Sequence, residues 1–264
     1  MEYTDSKLGT IDRLYPLNGG IAMAPDKSMY SPGIGEGIPV ALSCNAYLVQ
    51  RRGEWILWDT GIEDELYRKL EGKVVAHKIH GLVHRPIATR LQELGLHPRD
   101  IGIVLLSHGH FDHAGNCDMF AGATFYLQEV EHQAMFGPDY ERYGYIPKLY
   151  GSLKKADVRL LSGDSDLFAD GSMRIFSTPG HTPGHCSLLV NLSESGMIML
   201  SADVAHDRYN MDNRIVPKIN SDELQSRDSM DRVDAICKEY DAQLWINHDI
   251  RQQATIQHAP AWFQ

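Results

Sequence analysis

The chain has 264 residues, 43% hydrophobic and 23% charged, so it can bury a sizeable core and is not a low-complexity or disordered polymer. With 35 acidic against 25 basic residues the formal charge is −10, which argues against broad binding to nucleic acid or an anionic membrane. No stretch approaches the apolar length of a membrane span, no basic-then-apolar leader is visible, and Cys44, Cys117, Cys186 and Cys237 show no C-x-x-C spacing; the expectation is a cytoplasmic protein with packed, free thiols and no membrane anchor.

No repeat or linker divides the chain, and residues 1–264 read as one domain. Met23, Met29 and Tyr30 fall in a Gly/Pro-rich N-terminal segment that reads as a loop. Val40 to Val49 and Glu54 to Trp58 are apolar, β-rich runs separated by Gln50-Arg-Arg-Gly53, the pattern of a hairpin. Ile87, Leu91 and Leu94 recur at helical spacing after Pro86, which predicts a helix over 86–96. Ile101 to Leu106 is almost continuously apolar, as in a strand buried on both faces. A strand at 124–127, a helix at 129–135, and strands at 173–177, 187–192 and 197–201 follow. Ser221 is expected to open a helix with Asp222 and Glu223 in its first turn. Met230, Val233, Ile236, Cys237 and Tyr240 would form its apolar stripe. A last strand covers 244–246.

Four of these strands end beside a cluster of metal-binding residue types. The first cluster is Ser107-His-Gly-His-Phe-Asp-His113; the second is Thr178-Pro-Gly-His-Thr-Pro-Gly-His185. Asp203 follows the strand at 197–201, and Asn247-His-Asp249 follows the last one. Strand ends on one edge of layered sheets supply rigid positions from which loop side chains converge. A helix start just after this loop could throw His113 to the opposite side from His108 and His110, so that one motif could serve two ions. His185, Asp203 and His248 are the candidates for the remaining ligands. His77, His80 and His84 form a further histidine group with no acidic neighbour in sequence, and read as a pocket-rim or solvated segment.

From about Pro39 onward, including Asp59-Thr-Gly61, these motifs resemble the metallo-β-lactamase superfamily, and within it the N-acyl homoserine lactonases. The resemblance implies an α/β fold, a four-layer αβ/βα sandwich with two mixed sheets flanked by helices. It implies two divalent ions, zinc above all, with Co, Mn or Fe compatible. His108, His110 and His185 would hold the first ion; Asp112, His113 and His248 would hold the second; Asp203 would bridge them. His181 and Asp59 would support the ligands from behind. The implied activity opens the lactone ring of N-acyl homoserine lactones, the reaction of quorum quenching, by attack of a hydroxide bridging the ions. Asp112 would also pass a proton to the leaving alkoxide. Phe111, Met23 and Tyr145 would contact the small-molecule substrate. A homodimer is left open.

One departure concerns the substrate end. Many relatives place a tyrosine three residues after the bridging aspartate; here Asp203-Val-Ala-His206 supplies a histidine, whose N–H can also donate to an oxyanion. His206 is therefore a catalytic candidate, and another lactone or ester (aryl, sugar or pyridoxo-type) is the alternative substrate. Other members of the fold fit less well. A β-lactamase lacks this bridging aspartate. A glyoxalase II type thioesterase needs a helical region after the last ligand, where only residues 249–264 remain. Phosphodiesterase and RNase relatives would bring a basic exosite or an inserted domain, and flavodiiron proteins carry glutamate where His110 stands.

Overall fold

The computed structural model describes residues 8–76 and 78–264. Its strands are β1 (Arg13–Ala24), β2 (Val40–Arg51), β3 (Glu54–Trp58), β4 (Lys73–Ala76), β5 (Ile79–Leu82), β6 (Ile103–Leu105), β7 (Thr124–Gln128), β8 (Asp157–Leu161), β9 (Ser165–Asp166), β10 (Met173–Ser177), β11 (Cys186–Leu192), β12 (Gly196–Leu200) and β13 (Gln243–Trp245). The helices are α1 (Ile87–Glu93), α2 (Glu129–Phe136), α3 (Pro147–Tyr150), α4 (Arg208–Asn213), α5 (Glu223–Glu239) and α6 (Ile250–Gln253). One sheet runs β4-β5-β1-β2-β3-β6-β7-β8 and the other β13-β12-β11-β10-β9. Both are mixed: β3, β6, β7 and β8 are parallel, as are β12 and β13, and the other pairs are antiparallel.

Three apolar clusters set the layers. Tyr47, Val49, Ile56, Trp58 and Leu105 of the first sheet pack against Ile175, Leu188, Val190, Ile198 and Leu200 of the second, so the sheets face each other. The outer face of the first sheet (Leu48, Leu57, Val104, Phe125) is covered by Ile87 and Leu91 of α1, Met135 of α2 and Leu149 of α3. That of the second (Leu189, Met199) is covered by Met211 of α4 and by Met230, Val233 and Ile236 of α5. This is the expected four-layer sandwich.

The sequence patterns map onto these elements through ordinary local chemistry. Arg52 and Gly53, both with positive φ (49° and 83°), form the two-residue turn that matches the twist of β2 and β3. Val104 and Leu105 of β6 are buried between two parallel neighbours, as a continuous apolar run predicts. The N-terminal segment differs from its reading as a loop. Pro16, Asn18, Gly19 and Gly20 are turn-forming types, yet they lie inside the twelve-residue β1, where a register shift between Asn18 and Ile21 absorbs them as a bulge. The α5 cap also moves by one residue. Asp222, not Ser221, accepts from Gln225 N, while Ser221 Oγ donates to Gly180 O. After His110 the chain makes a single helical turn, with Ala114 N donating to His110 O at 2.9 Å, and not a regular helix. No helix among the described residues is long and apolar enough to cross a membrane.

Candidate metal centre

The loops after β3, β6, β12 and β13, together with the β10–β11 connection, converge on one edge of the sandwich. There the donor atoms of His108, His110, His181 and Asp203 all lie within 4.8 Å of one another. Two more groups, His113/Asp203/His248 and Cys44/Asp112/His248, meet the same limit. Asp203 joins the first two: its Oδ2 lies 3.2 Å from His181 Nε2 and 2.9 Å from His248 Nε2, and its Oδ1 lies 3.1 Å from His113 Nε2.

Each imidazole of these groups has one nitrogen tied down and the other left facing inward. His110 Nε2 donates to Tyr143 O at 2.7 Å, His113 Nδ1 to Asp59 Oδ2 at 2.8 Å, His181 Nδ1 to Asn220 Oδ1 at 2.9 Å and His248 Nδ1 to Ser43 O at 2.7 Å. His108 Nδ1 contacts Ser107 Oγ at 3.0 Å, and that hydroxyl donates to Asp59 Oδ2. Anchoring one ring nitrogen fixes both tautomer and orientation, the arrangement that surrounds metal-binding histidines. Asp59 thus holds Ser107 and His113 from behind, where a supporting role was expected for it.

The doubled motif is occupied differently from the expectation. His185 donates from Nδ1 to Thr178 O at 2.9 Å and accepts at Nε2 from Asp203 N at 2.9 Å, so neither nitrogen is free. His181 stands in the cluster instead, and His185 takes the supporting place, holding the backbone of Asp203. The exchange arises because Gly180 and His181 are drawn to the segment before α5, through Ser221 N to His181 O and Asp222 N to Gly180 O.

The electrostatics suit cations. Burial pushes His108 and His206 well below the usual imidazole range, and His110 and His185 to about 3. Neutral imidazoles are the form that binds metal. Burial opposes charge on His113 as well, but Asp203, Asp59 and Asp112 together raise it well above its ordinary value. Burial likewise opposes ionisation of Asp203, yet the surrounding histidines, His248 first, hold it well below the carboxylate range. His113 Nε2 and Asp203 Oδ1 are buried without a hydrogen-bond partner. Two buried donor atoms 3.1 Å apart with no aligned hydrogen bond between them fit a pair of divalent ions better than a packed core.

A cavity of about 370 Å³ opens above the cluster, with His110, Asp112, His181, Asp203, His206 and His248 at its base. Phe111 lines the wall, as expected, with Tyr30, Leu42, Ile79 and Ile219. Met23 and Tyr145 do not line it. Alternation along β1 presents Ala22 to the cavity in place of Met23. Tyr145 is buried and donates its hydroxyl to Glu131 at 2.7 Å, leaving Tyr143 and Gly144 at the cavity. His206 stacks on His248 with ring centroids 5.0 Å apart, and the Tyr30 ring lies 4.7 Å from it, tilted by 42°. Cys44, read as a packed thiol, donates to Asp112 Oδ2 at 3.3 Å, and Cys117 and Cys186 are buried as packing residues. His77 lies outside the described residues; His80 and His84 join none of the donor groups found among them.

Residues 39–230 match the family model described as the Metallo-beta-lactamase superfamily. An N-acyl homoserine lactonase of Bacillus cereus is 26% identical over 250 residues, 92% of this chain and 96% of that protein. An N-acyl homoserine lactonase of Rhizobium radiobacter is 30% identical over 179 residues, 66% of this chain and 68% of that protein. A solved N-acyl homoserine lactone hydrolase, with the product N-hexanoyl-L-homoserine at its catalytic metal center, aligns with a TM-score of 0.85 and 24% identity over 97% of this chain and 100% of that one. At that identity the likeness is one of fold.

Proposed function

This chain belongs to the metallo-beta-lactamase superfamily, and we propose that it is a metal-dependent hydrolase that opens the lactone ring of N-acyl homoserine lactones. The observation that carries the hydrolytic reading is the set of anchored imidazoles and carboxylates at the floor of a substrate-sized cavity. The lactone reading is supported by the two lactonases, 26% and 30% identical to this chain.

His108, His110 and His181 would hold one divalent ion, Asp112, His113 and His248 the other, with Asp203 shared between them. Imidazole and carboxylate donors suit zinc first, with Co, Mn and Fe compatible. When bound, such ions supply Lewis acidity and make water acidic enough to act as a nucleophile near neutral pH. The chain's own residues do the rest. His206, kept neutral by burial, retains one ring N–H that can donate to the carbonyl oxygen as charge builds on it. Asp112 borders the cavity and can take up the proton that the attacking water gives up and pass it to the ring oxygen as the C–O bond breaks. Phe111, Leu42, Ile79 and Ile219 offer an apolar wall to the acyl chain.

A second reading, hydrolysis of a different lactone or ester, is favoured by one feature: Arg142 and Lys218 border the same cavity, where an uncharged acyl chain gains nothing from them. The test is acid release from a panel of lactones near neutral pH, with and without chelator. Turnover of acyl homoserine lactones that chelator abolishes is expected. Turnover confined to aryl, sugar or anionic lactones would move the assignment to the second reading, and chelator-insensitive turnover would overturn both.

A further inference from the structure

Glu131 is fully buried in the first turn of α2, and the ion pairs among the described residues do not include it. Burying a carboxylate without a cation is costly unless hydrogen bonds replace its water. Four do so. Gly109 N and Tyr145 OH donate to Oε1 at 2.8 and 2.7 Å, and Thr182 Oγ1 and Gly184 N donate to Oε2 at 2.8 and 2.9 Å.

The four donors have a common address. Gly109 lies between His108 and His110. Thr182 follows His181, and Gly184 closes the same loop. Tyr145 belongs to the segment whose Tyr143 carbonyl anchors His110. Helix α2 sits close enough for this only because two of the four donors lack a side chain. A Cβ on Gly184 would lie 2.2 Å from Glu131 N, and one on Gly109 would lie 2.6 Å from Met135 Cγ. On the other side of the centre, Asp59 holds Ser107 and His113.

We infer that Glu131 is the positioning residue of the first ion, fixing His108 and His110 relative to His181. The inference rests on the division of ligands given above. A carboxylate that bridges two ligand loops sets the distance between donor groups carried by separate strands. Loss of such a support behind metal ligands lowers metal affinity by about 10-fold to 100-fold. A general packing role would instead weaken both ions together.

The experiment is a zinc titration of the metal-free protein by calorimetry, in backgrounds that keep one ion site each. His248→Ala leaves the first site, and His181→Ala leaves the second. Glu131→Gln is expected to weaken zinc about 10-fold to 100-fold in the His248→Ala background and to leave the His181→Ala background unchanged. Equal weakening in both backgrounds, or none in either, overturns the inference. If Glu131→Gln fails to fold, Thr182→Val removes one of the four donors and carries the same test, with a several-fold loss confined to the first site. Wild-type protein that binds fewer than two zinc ions would overturn the two-ion reading itself. Wild type that binds two, with no selective loss in the variants, would overturn only the role of Glu131.

Discussion

His181 and His185 are separated by three residues and by what their ring nitrogens meet. Thr178 O and Asp203 N use both nitrogens of His185, whereas Asn220 uses only Nδ1 of His181. His181→Ala should therefore remove one ion and abolish turnover. His185→Gln should lower metal affinity by about 10-fold to 100-fold and leave two ions bindable at saturation, as for a residue that only steadies a ligand. Metal content and lactone turnover, measured on both variants, check this; loss of an ion from His185→Gln alone would reverse the assignment. The resemblance favoured His185, and the sequence could not expose the difference, because both histidines occur in the same Pro-Gly-His repeat. Their difference lies in Asn220 and Asp203, 39 and 18 residues away.

Elements bring those distant partners into place, and α5 is the clearest case. Its apolar stripe was legible at helical spacing, and Met230, Val233 and Ile236 are buried on the second sheet. Its start was legible only to within one residue, because Ser221 and Asp222 are both good caps by type. The difference is tertiary: Ser221 Oγ is taken by Gly180 O, so Asp222 caps. Asp222→Ala should cost about 1 kcal/mol, a fall in Tm of a few degrees for a chain of this size. Thermal unfolding checks it, and an unchanged Tm would show that the contacts of α5 with the sheet hold its first turn without the cap. β1 escaped the sequence reading for the converse reason. Its Pro, Asn and Gly residues carry turn signals that pairing with β2 on one side and β5 on the other overrides.

At the scale of the whole molecule, the centre stores a pH dependence. Burial keeps His108, His110, His185 and His206 neutral in the folded metal-free chain, with His110 and His185 at about 3. The unfolded chain would protonate each near 6.5. Below that pH the unfolded state binds more protons, so stability falls as the solution is acidified, by roughly 1.4 kcal/mol per pH unit for each histidine that stays neutral. His113 and His248, raised in the folded state, contribute in the opposite sense. Their stabilisation is complete below 6.5 and is lost as pH rises through their folded values, so it does not offset the acid-side slope. Chelator-stripped protein should lose Tm steadily between pH 6.5 and 5; a Tm that rises over that interval would contradict the buried neutral state.

The sequence by itself determined the chemistry, because ligand types at fixed short spacing and strand-length apolar runs are local properties that a chain carries wherever it folds. His108, His110, Asp112, His113, Asp203 and His248 were legible on those grounds, as was the layered α/β architecture. Only the tertiary structure decided which atoms face the centre. It drew His181 in and His185 back, turned Tyr145 away from the cavity towards Glu131, and chose Ala22 over Met23 at the wall. The reason is physical: a buried polar atom must be satisfied by whatever lies beside it, and those neighbours come from strands and loops far apart in the chain.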